Sequence, residues 1–172
     1  RISGNSEKDL EYLRSYVSPL IEELFGLISG FNFYKNSKHV HLYCNSKELL
    51  FCLEKFGLKI GNKKENNVSI PNWIFTKKSY MVACIRGLID TDGCLYDCGN
   101  GSLFPRVNYC SYIENLQTDF RRILISLNYH PTPWIGTNIM IYRKQDIKRY
   151  IKEIGFSNKR NLNKLNEFAP VV

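Results

Sequence analysis

The chain has 172 residues, 44% of them apolar, and 24 lysines and arginines against 16 aspartates and glutamates give it a net charge of +8. This is enough for a hydrophobic core in one compact domain or two small ones. No stretch approaches the roughly 18 apolar residues of a membrane span, and the N-terminus lacks a signal peptide's apolar segment. We therefore expect an intracellular protein, in the cytoplasm, the nucleoid or an organelle, that is not secreted and whose charge suits a phosphate-rich partner.

The first predicted helix lies in "SEKDLEYLRSYVSPLIEELFG", where apolar residues recur at the 3.6-residue spacing of an amphipathic helix. Ser6 is its predicted N-cap and Asp9 its first-turn acid. "FNFYKNSKHVHLY" alternates around an Asn-Ser turn and predicts a β-hairpin, and "SKELLFCLEKFG" predicts a second helix that ends at Gly57. Residues 66–78 match little else in the chain and are predicted to be a linker, with Trp73, Ile74 and Phe75 docked on the C-terminal half of the chain.

Residues 80–92 predict a helix that ends in two aspartates one residue apart, in "RGLIDTDG". Ile85, Leu88 and Ile89 form its apolar face. Ala83 and Gly87 lack bulk, so a second helix can approach closely there. Two such helices side by side would bring their C-terminal carboxylates together.

The order of elements then repeats. After a strand that starts at Cys94 and the strand "PRVNYCS", the segment "SYIENLQTDFRRILISL" predicts a helix with a capping box, Ser111 with Glu114. A hairpin in "PWIGTNIMIYRK" and a helix in "QDIKRYIKEIGF", ended by Gly155, complete the series.

The chain therefore consists of two copies of one α/β unit of about 100 residues. The offset between them falls from 105 residues at Ser6 and Ser111 to 98 at Gly57 and Gly155. We assign residues 1–65 to the first copy and 79–172 to the second. Arg1 corresponds to Arg106, which lies 14 residues beyond Asp92, so the first copy's counterpart of helix 80–92 would precede Arg1.

"RGLIDTDG" resembles the signature of the LAGLIDADG homing endonucleases, and with the repeated order of elements the resemblance covers nearly the whole chain. It departs from the signature at Arg86 and Thr91 and matches at Gly87, Leu88, Ile89, Asp90, Asp92 and Gly93. The resemblance implies an α+β fold of two αββαββα-type repeats, whose antiparallel sheets form a DNA-binding saddle. It also implies an intron- or intein-associated, site-specific endonuclease that hydrolyses phosphodiesters in double-stranded DNA with Mg²⁺ or another divalent cation such as Mn²⁺.

The same resemblance assigns site residues. Asp92 is the expected catalytic metal ligand, with Gly93 beside it, because clustered carboxylates at helix ends are unfavourable unless a hard cation neutralises them. Asp90 is expected to cap or orient a neighbouring helix, and to form the helix interface with Gly87 and Leu88. The expected catalytic lysines are Lys63 and Lys159, with rivals at Lys64, Arg160 and Lys164.

Each copy is expected to form a four-stranded sheet with one open polar face, which can lie in the major groove of DNA. His39 and His41 alternate with apolar Val40 and Leu42, so the histidine side is the expected DNA face. The full set of expected DNA-binding residues is Arg1, Ser3, His39, His41, Cys94, Tyr96, Arg106, Asn108, Asn138, Arg143 and Lys164.

Several alternatives remain open. The six cysteines are taken as reduced thiols, because a zinc cluster of Cys94, Cys98 and Cys110 lacks a C-x-x-C pair and a fourth ligand. A relict nuclease, a regulator or a maturase-like RNA-binding splicing factor would keep the saddle without the chemistry. If Arg1 is the true start, cleavage by this chain alone should be weak, and self-association or an N-terminal segment would supply the missing helix. We expect no membrane partner and no small-molecule substrate.

Overall fold

The computed structural model describes residues 1–97 and 104–168. The first copy contains β1 (Ile2–Asn5), α1 (Leu10–Tyr12) continued by a π-helical turn (Leu13–Val17) into α2 (Ser18–Phe25), then β2 (Gly30–Phe33), β3 (His39–Tyr43) and α3 (Lys47–Lys55). After a 3₁₀ turn (Asn72–Thr76), the second copy contains α4 (Lys78–Asp92), β4 (Gly93–Tyr96), β5 (Arg106–Cys110), α5 (Glu114–Ser126), β6 (Asn138–Ile141), α6 (Lys144–Glu153) and α7 (Lys159–Glu167). The fold is α+β, as predicted.

The two copies form two antiparallel sheets of three strands each in the described residues, and one strand pair recurs in both. The first sheet has the order β1-β3-β2 and the second β4-β5-β6. Ser3 pairs with His41 in the first sheet, and Asn108 pairs with Met140 in the second. Asn108 follows Ser3 by 105 residues, and Met140 follows His41 by 99. These offsets agree with the repeat found in the sequence, so the internal repeat is present in the strand register.

The predicted four strands per sheet are wrong for the described part of the chain, where each sheet has three. The fourth position of the second sheet is taken by residues 132–135, which bond to β6 through Thr132 N–H to Met140 O (2.9 Å) and a reciprocal pair between Ile135 and Asn138 (3.0 and 3.1 Å). Pro131 and Pro133 flank Thr132, and because proline has no N–H donor, a regular ladder cannot form there.

Both predicted N-caps differ from the structure. The N-cap residue of the first helix is Asp9 rather than Ser6. The Asn5 side chain accepts hydrogen bonds from the N–H groups of Glu7 and Lys8, so residues 5–8 form a turn before the helix begins. The capping box at Ser111 and Glu114 does not form, because the Ser111 hydroxyl accepts from the N–H of Ile113 and the helix starts only at Glu114. The predicted helix ends are confirmed, with left-handed φ values of 88° at Gly57 and 67° at Gly155.

The second copy holds the larger core. Ile85 and Ile89 of α4 pack there with Leu95 and Tyr109 of the sheet and with Phe120 of α5. The core of the first copy is far smaller, with four buried apolar residues: Tyr12, Leu13, Val40 and Leu42.

The segment between the copies is packed against both. Ile70 and Ile74 lie in the second core, and Phe75 packs against it. Trp73 was also expected to dock on the second copy, and its ring does contact Tyr80 of α4, but it contacts Phe56 of the first copy as well. Its Nε1–H donates to Phe56 O at 2.9 Å. In the described residues no helix has the length and hydropathy that a bilayer span requires.

Candidate carboxylate cleft and nucleic-acid interface

Helix α4 ends at Asp92, and the chain passes directly into β4 at Gly93. A Cβ atom at position 93 would lie 2.7 Å from Asn108 O and 2.8 Å from Ile89 Cα, so only glycine fits between helix and sheet. The close passage fixes Asp92 at the tip of the helix, where its side chain is exposed.

Asp92 lines a cleft of about 610 Å³ between the two copies. Lys63 and Lys59 reach the cleft from the loop after α3, and Arg1 and Ser3 reach it from β1. The full lining is Arg1, Ile2, Ser3, Leu50, Leu53, Leu58, Lys59, Ile60, Gly61, Lys63, Thr91 and Asp92. The structure thus brings Asp92 together with Lys63, Arg1 and Ser3. Lys59 was missed by sequence reasoning, although its place after Gly57 in a basic run could have suggested it.

Lys159 and Lys164 do not lie in this cleft. Both line a different cleft of about 440 Å³, where Lys159 forms an ion pair with Glu11 of α1. Lys164 lies half-buried on α7. Of the two lysines expected to be catalytic, Lys63 lines the same cleft as Asp92, whereas Lys159 lines the second cleft.

The carbonyl oxygen of Gly93, expected near a metal, is already bonded. It accepts from Arg160 Nη2 at 3.1 Å, and Nη1 of the same side chain contacts Asp9 Oδ1 at 3.0 Å. No group of three His, Cys, Asp or Glu residues that could hold a metal ion is found among residues 1–97 and 104–168. Among the described residues, Asp92 is thus not part of a cluster of three such ligands.

Asp90 points away from the cleft, into the protein. It is 1% exposed, its Oδ2 accepts from the N–H of Ser157 at 2.8 Å, and its carbonyl accepts from Asn158 Nδ2 at 3.0 Å. Burial raises the pKa of the Asp90 carboxyl, and the bond from Ser157 opposes this only in part. Asp90 therefore joins the end of α4 to the start of α7, which is the kind of contact that the resemblance implies for it.

Leu88 and Gly87, which were both expected at the helix interface, face different surroundings on α4. Leu88 is partly buried and packs against the second core. Gly87 instead faces an apolar groove of about 280 Å³ bordered by Tyr16 and Leu20 of the first copy. A Cβ atom at Gly87 would meet nothing within 4 Å. Arg86 ties α4 to the end of α6 through a 2.5 Å bond from Nε to Ile154 O.

The open face of the first sheet carries the predicted polar residues. Ser3 lies opposite His41 and Asn5 opposite His39, while Val40 and Leu42 point into the core at 0% and 1% exposure. Strand alternation puts the exposed Arg1 on the same side as Ser3.

The open face of the second sheet has the same arrangement. Leu95, Val107, Tyr109, Ile139 and Ile141 are buried, and alternation places the expected DNA-binding residues on the other side: Cys94, Tyr96, Arg106, Asn108 and Asn138.

Arg143 is exposed but lies beyond β6 as the N-cap residue of α6, so alternation assigns it to neither face. Cys98, considered for the same face and for a zinc cluster, lies outside the described residues.

No family model matches the chain. Two curated relatives are similar: the ribonucleoside-diphosphate reductase NrdEB subunit alpha of Bacillus subtilis (strain 168) and the corresponding subunit of Bacillus phage SPbeta. Each is 30% identical over 107 residues, which is 62% of this chain and 9% of the reductase subunit. The match thus concerns a small part of a much longer protein.

Among solved structures, the chain is similar to I-DmoI in complex with DNA and Mn, with a TM-score of 0.59 and 18% identity over 90% of this chain and 78% of that one. Mesophilic variants of the homing endonuclease I-DmoI give the same values. I-DmoI in complex with DNA and Ca matches at a TM-score of 0.59 over 89% of this chain and 72% of that one. The chain therefore has the fold of the homing endonuclease I-DmoI.

Proposed function

We propose that this chain binds double-stranded DNA across its two sheets and belongs to a site-specific endonuclease of the LAGLIDADG kind, with Asp92 as a catalytic carboxylate. The observation that carries the proposal is the cleft between the copies, where the exposed Asp92 lies beside Lys63, Arg1 and Ser3. Cations beside the carboxylate suit a scissile phosphate.

The two open sheet faces support the choice of DNA. Each is polar on the outside and buried on the inside, and a polar sheet face can contact base edges in the major groove. The net charge of +8 suits the phosphate backbone, which supplies most of the sequence-independent affinity. The fold is that of I-DmoI, a protein solved in complex with DNA.

The proposal includes a divalent cation, Mg²⁺ or Mn²⁺. I-DmoI was solved with DNA and Mn and with DNA and Ca. Asp92 is the carboxylate that lines the cleft in the described residues, and DNA phosphate, water and a second carboxylate would complete the oxygen ligands of the cation.

We propose that a second motif helix supplies this carboxylate by packing in the groove beside Gly87. The groove is mainly apolar and is bordered by Ala83 and Gly87 of α4 and by Tyr16 and Leu20 of the first copy. Small residues on one helix allow the close approach of another. A helix in this groove, either from a segment outside this chain or from a second copy, would end near Asp92.

The limited match to the reductase subunit supports an association with an intron or intein. A nuclease-like segment carried within a host protein would give similarity over a small share of that protein, as the 9% coverage does. The reductase activity itself is not part of the proposal.

The test is incubation of a library of plasmid targets with the protein and Mg²⁺, and then sequencing of the broken ends. Breaks at one sequence that disappear in Asp92→Asn and on removal of Mg²⁺ support the endonuclease. The matched control is Glu23→Gln, which removes an exposed carboxylate from α2 and should cut as the wild type does.

A non-catalytic DNA binder is the second candidate, and it is favoured because no group of three His, Cys, Asp or Glu ligands includes Asp92 in the described part of the chain. In that case the wild type and Asp92→Asn bind duplex DNA with equal affinity, binding weakens steeply with salt, and no breaks form. Absence of duplex binding by the wild type at low salt would contradict both candidates.

A further inference from the structure

One row of side chains on the open face of the second sheet carries no charged group. Cys94 of β4 lies directly opposite Asn108 of β5, and Asn108 lies directly opposite Met140 of β6. All three residues are partly exposed. The row therefore presents a thiol, an amide and a thioether, about 5 Å apart across the strands.

The amide in the middle of the row is held in one orientation. Asn108 Nδ2 donates to Asn138 Oδ1 at 3.0 Å, and Asn138 Nδ2 donates in turn to Thr137 Oγ1 at 3.3 Å. The other N–H and the carbonyl oxygen of the Asn108 side chain have no hydrogen-bond partner in the described parts of the chain. A side chain fixed in this way loses little conformational entropy when it binds a ligand.

One donor and one acceptor side by side match one base in the major groove. Adenine presents N7 as acceptor and its N6 amino group as donor, whereas guanine presents two acceptors and cytosine a donor. Asn108 can donate to N7 and accept from N6 of the same adenine. Its remaining hydrogen-bonding groups thus select adenine.

The two neighbours of Asn108 match the partner base. Thymine differs from the other bases in the major groove by its C5-methyl group, which apolar side chains contact. Met140 offers an apolar methyl group for such a contact, and its thioether is held in place because the Tyr96 hydroxyl donates to its sulfur at 2.9 Å. Cys94 offers a second small, weakly polar surface on the other side of Asn108.

We infer that the row Cys94, Asn108 and Met140 reads an A·T base pair in the half of the DNA site that lies under the second sheet. The inference rests on the proposed DNA binding and specifies its base preference. In the first sheet, the row that contains the equivalents of Asn108 and Met140 is Ser3, His41 and Asn32, which carries a hydrogen-bonding group on every side chain. The A·T preference therefore belongs to one half-site, and the two halves of the DNA site differ.

The test starts with selection of bound duplexes from a randomised library, using the wild-type chain. We expect one position in one half-site where replacement of A·T by G·C weakens binding by about 5- to 100-fold. The selected duplex is then made with 7-deazaadenine, which lacks the N7 acceptor, and with uracil in place of thymine, which lacks the methyl group. Each change should weaken wild-type binding, the first more strongly.

Two variants link these effects to the residues. Asn108→Ala should no longer discriminate adenine from 7-deazaadenine, and Met140→Gln should no longer discriminate thymine from uracil. Because the DNA is varied as well as the protein, the wild-type chain alone still tests the inference if a variant fails to fold. Ser126→Ala, on the surface of α5, is the control and should keep both preferences.

The outcomes separate the two proposals. Duplex binding without a preferred A·T pair, or discrimination that Asn108→Ala leaves intact, overturns the inference and leaves the proposed DNA binding standing. Failure of the wild-type chain to bind any duplex at low salt overturns both.

Discussion

At the residue scale, two glycines of the motif have opposite surroundings. Gly93 lies where helix α4 touches strand β5, and any side chain there would collide with Asn108 O and Ile89 Cα. Gly87, six residues earlier, faces open space. The motif therefore contains one glycine that this fold requires and another that leaves room for a partner.

We predict that Gly93→Ala lowers the free energy of unfolding by about 1–3 kcal/mol, because the new methyl group overpacks the junction of helix and sheet. Gly87→Ala is the matched variant and should raise it by about 0.5–1 kcal/mol, because alanine favours a helix interior. Urea denaturation measures both. Equal changes in the free energy of unfolding for Gly93→Ala and Gly87→Ala would contradict the prediction.

Asp90 is the second residue with a clear consequence. Its usual pKa is 3.8, and burial raises the pKa in the folded protein. The folded state therefore keeps the proton to a higher pH than the unfolded chain, and stability falls as pH rises from about 3.8 through the folded pKa.

We predict that Asp90→Asn reduces this fall in stability between pH 3.8 and neutral pH, because a neutral amide does not ionise and still accepts from Ser157 N–H. Urea denaturation at a series of pH values measures it. Asp90→Ala should also lose the pH dependence but be less stable by about 1–2 kcal/mol, because it leaves the Ser157 N–H without its acceptor. Superimposable pH curves for the wild type and Asp90→Asn would exclude this role of burial.

At the scale of elements, α7 is fixed by residues from distant parts of the chain. Asn158 caps it through its Oδ1, which accepts from Arg160 N–H at 3.0 Å, and its Nδ2 donates to the carbonyl of Asp90. Asn158 is 1% exposed. By contrast, Ser46 caps α3 with one bond to Leu49 N–H and lies near the surface.

Accordingly, Asn158→Ala should cost about 2–4 kcal/mol of unfolding free energy, because it removes a cap and leaves a buried carbonyl without its donor. Ser46→Ala should cost about 1 kcal/mol, since solvent replaces the lost bond. Thermal or urea unfolding of the two variants gives the comparison. A larger loss at Ser46 than at Asn158 would be inconsistent with the buried network.

At the scale of the whole molecule, the two copies are packed unequally. Apolar side chains of the first copy remain exposed on α2 and α3, among them Leu24 at 62% and Phe51 at 65%. In the second copy, α4 covers the corresponding helices. The first copy thus has apolar surface of the kind that interaction sites expose.

We predict that the chain self-associates through the groove beside Gly87, and that light scattering gives a mass above 20.1 kDa that rises with concentration. Leu20→Glu should reduce this, because Leu20 borders the groove. Leu24→Glu, on the same helix but outside the groove lining, is the control and should have a smaller effect. A monomer at every concentration would contradict the prediction.

The sequence by itself determined the periodic features of this protein. Helix periodicity, strand alternation and the repeat offset predicted the order of elements as far as α6, the buried and open faces of both sheets, and the position of Asp92 at the end of a helix, but not helix α7. These features depend on local geometry, because side chains repeat every 3.6 residues in a helix and every two in a strand.

The tertiary structure alone decided which distant groups meet. Nothing in the local pattern shows that Arg160 bonds both Asp9 and the carbonyl of Gly93, that Lys159 pairs with Glu11, or that Lys59 enters the Asp92 cleft. Such contacts depend on how distant elements pack together, and the periodicity of a helix or strand does not show which distant group a charged side chain reaches. The sequence therefore predicted which faces of the helices and strands are buried, whereas the tertiary packing determined which distant side chains contact each other.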